Sequence, residues 1–397
     1  MDKTIALGLG NNIDYEIRWD SRVIESLIEN YSISSRDILP VQRINTERDL
    51  LISILGYMKN GTGIERYVED LQVISEFAGR FKTAITIGGT APRAAIAMSK
   101  VGVSSSAHLV TTNDHVRKLM PAASSWYCSS SADSSYPHLI VQYEKGACVA
   151  ARDLTITAPV STRLIYVNDQ DNELMRLEPE FFRNARTARA CLISGFNAMR
   201  DADLLRDRLL ELAGMLGAFP APVTVFYEDA WFHNADFRHI VLENLRPLID
   251  VFSLNEDEMQ GYLGDTIDLL DPARMLESIQ ALRAIIRVPV VVIHTRYWAL
   301  ASGRDCGRFS ASLKNGITMA ATRFRLGDGF SKADFLRTRE FPPEPRRTAF
   351  AEEINRQGKG EVCCFPSVEV EEKKVTTIGL GDAFVGGFLS TLSGVQI

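Results

Sequence analysis

At 397 residues, with 46% apolar and 24% charged side chains, the chain carries ample material for a core, which excludes intrinsic disorder, collagen and coiled coil. A net charge of −6 argues against a protein that wraps nucleic acid, while leaving room for a local basic pocket that takes a small phosphorylated ligand. Six cysteines without a CxxC pair exclude a metal knuckle, and neither a signal-type start nor a bilayer-length apolar run is present, which predicts a reduced, cytoplasmic protein with no membrane partner.

In chain order, a strand over 4–9 ends in the turn Gly10-Asn11-Asn12-Ile13-Asp14. Residues 17–65 mix polar and apolar side chains without a clear period, which suits hairpins of a small added sheet. Gly88-Gly89-Thr90 opens a helix with Pro92 in its first turn. A serine-rich loop then leads into short alternating strands across 131–169, including 139–141 and 164–167, which again suit a small sheet. From 190 onward the pattern changes. β-Branched runs at 190–193, 223–226, 251–254 and 288–293 alternate with helical segments at 203–216, 237–249 and 273–286, the first placing Leu204, Leu205, Leu209, Leu212 and Leu216 on one stripe. Such alternation predicts βαβ crossovers and a mostly parallel sheet covered on both faces. The charged, proline-punctuated stretch 328–361 reads as an excursion from this core.

The strongest chemical signal lies near the C-terminus, in Thr377-Ile378-Gly379-Leu380-Gly381-Asp382-Ala383-Phe384. Glycines before an apolar helix let successive amide N–H groups converge, and the helix N-terminus adds positive character, which makes an anion site. Asp382 is either the helix cap or a general base beside that site. Asn255 and Glu258 follow a strand three residues apart, so they either cap the next helix or hold the waters of a hard cation such as magnesium. Glu228 follows another strand and reaches the same carboxyl edge of the sheet, where ligands of open parallel sheets collect. Asn12 and Asp14 make an Asx turn or bind substrate hydroxyls, Gly88 and Gly89 let a backbone approach a ligand closely, and His294 and Thr295 end a strand. No P-loop, GxSxG, HExxH or complete GxGxxG is present.

Joined in this order, the pieces resemble the ribokinase-like superfamily, and within it the ADP-dependent glucokinase and phosphofructokinase family. GNNID (10–14), IGGTAPRAAIAMSKVG (87–102), LISGFNAM (192–199), FYE (226–228), NEDE (255–258), IHT (293–295) and TIGLGDAF (377–384) are similar to family segments over nearly the whole chain. The resemblance implies a three-layer αβα sandwich with a mostly parallel central sheet and a smaller β-rich lid. The large nucleotide-binding unit is then expected over 1–16, 66–130 and 170–397, and the lid over 17–65 and 131–169.

It also implies roles. Asp382 takes the proton from the sugar hydroxyl, and the amides of Gly379, Leu380 and Gly381 stabilise the transferring phosphoryl group. Asn12, Asp14, Gly88, Gly89, Thr90 and Asn197 face the sugar. Arg163, which lies in a segment similar to a family Asn-Arg-Phe-Ile stretch, serves the nucleotide or phosphate together with Asn255, His294 and Thr295. Glu228 and Glu258 position magnesium or another divalent cation. The expected reaction is transfer of the β-phosphoryl group of ADP to a hexose or hexose phosphate with release of AMP, by a monomer or homodimer whose partners are small molecules. The chain departs from the family at Thr90 (usually Gln or Asn), Pro92 (usually Gly) and Phe226 (usually His). Two alternatives share the residues: an ATP-dependent sugar or nucleoside kinase, and a catalytically weak sugar or nucleotide sensor. The acceptor, glucose or fructose 6-phosphate, stays open, with Arg66, Arg93, Arg163 and Arg200 as the cations available to an acceptor phosphate and Glu65 favouring a sugar without one.

Overall fold

The computed structural model describes residues 5–40, 42–220, 222–232, 234–370, 376 and 378–397. Thr4 and Thr377, at the edges of two expected segments, lie outside the described residues. The apolar runs after 190 become strands whose successive residues enter opposite cores, which is why they read as unbroken hydrophobic stretches. In Ala190–Ile193, Ala190 and Leu192 join one core while Cys191 and Ile193 join the other. Val290 and Val292 alternate with Val291 and Ile293 in the same way.

These strands build a sheet in the order Val362–Pro366, Trp298–Gly303, Val290–His294, Val251–Asn255, Thr224–Glu228, Ala190–Ile193, Ile5–Leu7, Ser106–Leu109, Ser125–Cys128. Pairing is parallel from Val290–His294 to Ser125–Cys128, and the last two strands at the other edge return antiparallel. Helices Ala202–Leu216, Asp236–Leu245, Pro272–Ile286 and Pro345–Gln357 cover one face. Helices Thr90–Lys100, Ser310–Leu326 and Leu380–Leu392 cover the other. The result is the expected ribokinase-like αβα sandwich. No helix among the described residues is long and apolar enough to cross a membrane.

A second sheet runs Ile64–Tyr67, Thr162–Val167, His138–Tyr143, Asn12–Arg18, Thr83–Gly88, with mixed directions. One face packs on helices Ser21–Asn30, Glu47–Asn60 and Leu71–Ala78 and on the hairpin Cys148–Ala151/Leu154–Thr157. The opposite face covers Asp14 with Arg93 and elsewhere borders a cleft.

Four expectations change here. Residues 17–65 supply two helices rather than hairpins, because Ile24, Leu27 and Ile28, and then Leu50, Leu51, Ile54, Leu55 and Met58, fall at helical spacing and bury against the small sheet. Strand Thr83–Gly88 and helix Leu71–Ala78, placed with the large unit by the sequence, belong to the small sheet, because Thr83–Gly88 pairs along Asn12–Arg18. The 328–361 stretch is no excursion: helices Lys332–Arg339 and Pro345–Gln357 bury Phe335 and the Phe350, Ala351 and Ile354 stripe in the main cores. The helix expected over 237–249 stops at Leu245, and Pro247 lies in the 3-10 turn that follows.

Where the chain passes between the sheets, buried amides replace apolar packing. Asn11 accepts from the Val110 and Thr111 N–H groups at 3.0 and 3.2 Å and donates to the Thr111 carbonyl at 3.1 Å. Asn172 donates to the Asn11 carbonyl at 2.8 Å and to Asp169 at 2.7 Å, and Asp169 also pairs with His138 at 3.0 Å.

Candidate active site

Between the sheets lies a cleft of about 2670 Å3. That exceeds the roughly 300–1,000 Å3 of a single small-ligand pocket, so two substrates fit side by side. Its floor is the carboxyl edge of the parallel strands and the start of helix Leu380–Leu392.

This helix begins at Gly379, whose φ of 66° is left-handed, and no side chain caps it. Asp382 stands in the first turn with its side chain 23% exposed and lines the cleft. It therefore does not act as the helix cap. Gly379, Leu380 and Gly381 line the cleft beside it, and their N–H groups are among those left without intrahelical partners. The helix is fixed by close approach on two sides. A Cβ on Gly386 would sit 2.9 Å from the Ala94 carbonyl oxygen, and one on Gly387 would sit 2.5 Å from that of Asn315.

Across the floor, Glu228 ends its strand buried, with Oε1 at 2.8 Å from His294 Nε2 and Oε2 without a partner. His294 is brought there by register, since it pairs with Asn255 on the neighbouring strand. Its ring stacks on Phe384 at 4.6 Å, which joins the acidic side of the floor to the Asp382 helix. Burial alone would lower the imidazole pKa, but the Glu228 carboxylate outweighs it and holds His294 above its ordinary value.

Asn255 caps helix Glu256–Leu263 by accepting from the Asp257 and Glu258 N–H groups at 2.9 and 3.0 Å, while Glu258 accepts from the Asn255 N–H at 2.8 Å. Both residues thus do the capping work that was one of their two readings. Glu258 is nevertheless buried, and burial together with Asp229 and Glu228 pushes its carboxyl well above the usual range. Asp229, which the sequence reading passed over, is buried with Oδ2 unpartnered, and burial raises it to about 7. Its place directly after Glu228 at a strand end was the signal. Among the described residues no group of three or more His, Cys, Asp or Glu side chains can hold a metal ion by itself.

Thr90, Asn197, Arg163, Asn255, Glu228, Glu258, His294 and Thr295 all line the cleft. The Thr295 hydroxyl is already engaged, accepting from the Tyr297 and Trp298 N–H groups at 3.1 Å and donating to the Trp298 carbonyl at 3.0 Å. Asn12, Asp14, Gly88 and Gly89 are not among the lining residues. Asn12 and Asp14 lie in a strand rather than an Asx turn, and Asn12 Nδ2 reaches Asp14 Oδ1 at 2.6 Å. Of the four arginines considered for an acceptor phosphate, Arg163 lines the cleft, whereas Arg93 is buried on Asp14, Arg66 holds the Tyr57 hydroxyl and the Gln42 carbonyl, and Arg200 lies over the Tyr67 ring at 3.6 Å.

Sheet order and the glycine-started helix, whose first-turn acid caps nothing and faces the acids of the strand ends across the cleft, make this a ribokinase-like fold with its cleft at the carboxyl edge of the sheet. Residues 3–390 match the ADP-specific Phosphofructokinase/Glucokinase conserved region, and the chain belongs to that family of ADP-dependent sugar kinases. An ADP-dependent glucose/glucosamine kinase from Pyrococcus abyssi is 25% identical, over 97% of this chain and 94% of its own. A phosphofructokinase from Pyrococcus horikoshii OT3, solved with AMP, has a TM-score of 0.79 at 18% identity, over 99% of this chain and 98% of its own. The adenosine kinase of Sinorhizobium meliloti shares the fold more distantly, with a TM-score of 0.54 at 12% identity, over 100% of this chain and 89% of its own.

Proposed function

We propose that the chain moves the β-phosphoryl group of ADP onto a hydroxyl of an unphosphorylated hexose, releasing AMP. The observation that carries the chemistry is Asp382, a carboxylate in the first helical turn that caps nothing and borders the cleft beside Gly379, Leu380 and Gly381. In this reading Asp382 accepts the proton of the attacking hydroxyl, and the three amides stabilise charge on the phosphoryl oxygens as it passes. Thr90 and Asn197 orient the sugar from the cleft wall, while Asn12, Asp14, Gly88 and Gly89 act from behind by fixing the strand and turn that carry it. Arg163 on the small sheet, with Asn255, His294 and Thr295 on the floor, borders the nucleotide phosphates.

Glu228 and Glu258, with Asp229 beside them, offer only hard oxygen donors, and two of their buried oxygens lack partners. That set fits magnesium, which keeps several waters and takes one or two carboxylates plus substrate phosphates rather than a full protein cage. When bound, the ion would neutralise negative charge on the ADP phosphates.

The unphosphorylated acceptor is supported by the arginines: Arg66, Arg93 and Arg200 are held on other groups, so that of the four only Arg163, assigned here to the nucleotide phosphates, lines the cleft. The glucose/glucosamine kinase of P. abyssi is consistent with this choice. A crossed panel tests both halves: ADP or ATP, each with glucose, glucosamine, fructose 6-phosphate and ribose, with AMP measured directly. AMP from ADP with glucose or glucosamine is expected. Turnover with ATP alone refutes the donor, and AMP formed only with fructose 6-phosphate refutes the acceptor.

A further inference from the structure

Arg93 has no place in the chemistry described so far, yet its environment is hard to explain by packing. It lies one turn inside helix Thr90–Lys100 and is only 4% exposed. A cation there is desolvated and sits near the positive end of its own helix, both of which disfavour it. An apolar side chain would fill the same space without either penalty. The carboxylates gathered around the guanidinium outweigh the cost: Asp14 Oδ2 at 2.8 Å from Nη2, Asp382 Oδ2 at 3.8 Å from Nε and Glu16 Oε1 at 3.9 Å from Nη2. Burial opposes the charge, and Asp14 followed by Asp382 restores it, so the group stays fully protonated.

Two further observations tie this arrangement to the reaction centre. Arg93 Nη1 is buried without a partner, and a Cβ placed on Gly379 would lie 2.9 Å from both Nη1 and Cδ. The side chain therefore passes directly beneath the first residue of the amide cluster. The partners also come from different sheets: Asp14 rides on the small sheet, whereas Asp382 belongs to a helix of the large unit. The second guanidinium nearby, Arg323, bonds the Ile378 carbonyl at 2.9 Å and is pulled down to about 10 by burial and by Arg93. It props the loop before Gly379 but makes no ion pair with Asp14.

We propose that Arg93 is a positioning residue of the phosphoryl transfer, a buried guanidinium that holds Asp382 in register with the sugar-bearing strand by pairing Asp14 on one edge and facing Asp382 on another. The inference rests on Asp382 acting as the base. Without Arg93, Asp14, Glu16 and Asp382 repel one another, and the base loses its fixed distance to the acceptor hydroxyl. Nucleotide binding, which uses the far side of the floor, is left alone.

The test is steady-state kinetics on Arg93→Met and Arg93→Lys in the full chain, with Asp382→Asn as reference and the sugar that wild type turns over. Arg93→Met is expected to lower kcat by about 10–100-fold, the scale for a misplaced catalytic group, and to raise the sugar KM while the ADP KM stays within about twofold. Arg93→Lys keeps the charge but reaches one carboxylate at a time, so it should recover part of the Met variant's loss and still fall at least about threefold below wild type. A residue needed only for packing would lower the melting temperature without separating the sugar KM from the ADP KM. If Arg93→Met does not fold, Arg93→Lys decides alone. A kcat within about twofold of wild type, or equal rises in both KM values, overturns the proposal. If wild type gives no AMP, or Asp382→Asn keeps its turnover, the base assignment fails and Arg93's role falls with it. An active wild type and a dead Asp382→Asn, together with an unaffected Arg93→Lys, overturn the Arg93 proposal alone.

Discussion

Replacing Gly379 by alanine probes the amide cluster at its most constrained point. The residue sits at φ 66°, so an alanine there costs about 1–2 kcal/mol from backbone conformation alone. Its methyl group would also lie 2.9 Å from Arg93 Cδ and Nη1 and 3.3 Å from Arg323 Nε. Neither neighbour is a free end, because Asp14 pins Arg93 and the Ile378 carbonyl pins Arg323. Overpacking of this kind adds about 1–3 kcal/mol. A total near 2–5 kcal/mol, set against an unfolding entropy of roughly 0.8 kcal/mol/K for a chain of this length, lowers the melting temperature by about 2–6 °C. Relief of the clash by rotating the Gly379–Leu380 peptide would misaim one donor, and loss of one such donor reduces kcat by about 10²–10³-fold. Thermal melts followed by assay of the still-folded variant measure both effects. A variant that melts within about 1 °C of wild type and retains at least half its kcat would refute the steric and the catalytic reasoning together.

Three other outcomes are expected. Glu258→Gln keeps the bond to the Asn255 N–H but removes one of the mutually repelling buried acids, so it should raise the metal-free melting temperature and increase the Mg2+ concentration needed for half-maximal rate; a fall in stability or an unchanged Mg2+ dependence contradicts the metal assignment. His108 is buried, accepts from the Glu178 N–H at 2.9 Å and is lowered to about 3 by burial, so it stays neutral in the folded chain while the unfolded chain gains a proton as pH falls below about 6.5. Its stabilisation is therefore present above that pH and lost on acidification toward 3, and between pH 6.5 and 4.5 His108→Gln should lose about 2 kcal/mol less than wild type in urea titrations; parallel losses would contradict this. Gly214 is exposed in helix Ala202–Leu216, and a methyl group added there would meet nothing within 4 Å, so Gly214→Ala should stabilise by about 0.5–1 kcal/mol; a lower urea midpoint would count against the helix assignment there.

How far each of these features could be read from sequence depended on whether its signal was local. The strands after 190 were legible because each is apolar on both faces, and their helices because leucines such as Leu205, Leu209 and Leu212 fall on one stripe. Helix Pro345–Gln357 was not, because three buried residues are outnumbered by charged ones facing solvent. Strand Thr83–Gly88 was assigned to the wrong sheet because pairing with Asn12–Arg18 is a long-range fact that no window contains. The same limit applied to the site. Glu228, Asn255 and Asp382 announced themselves by standing at strand ends or after glycines. Whether an acid caps its helix, as Glu258 helps to do, or stands clear, as Asp382 does, is decided by backbone angles such as that of Gly379. Arg93 was one of four cations available to an acceptor phosphate, and only the convergence of Asp14, Glu16 and Asp382 shows it to be interior.

The amide knot of Asn11, Asp169 and Asn172 marks where the chain passes between the sheets, and that passage is repeated at 8–11, 89–105, 129–137 and 168–189. A small sheet tethered at several places cannot swing like a flap on a single string. Any hinge motion of that sheet would have to bend all four crossings together. Cutting the backbone in one crossing, such as the serine-rich 129–137 loop, would leave the other tethers in place and the sheet still seated above the cleft.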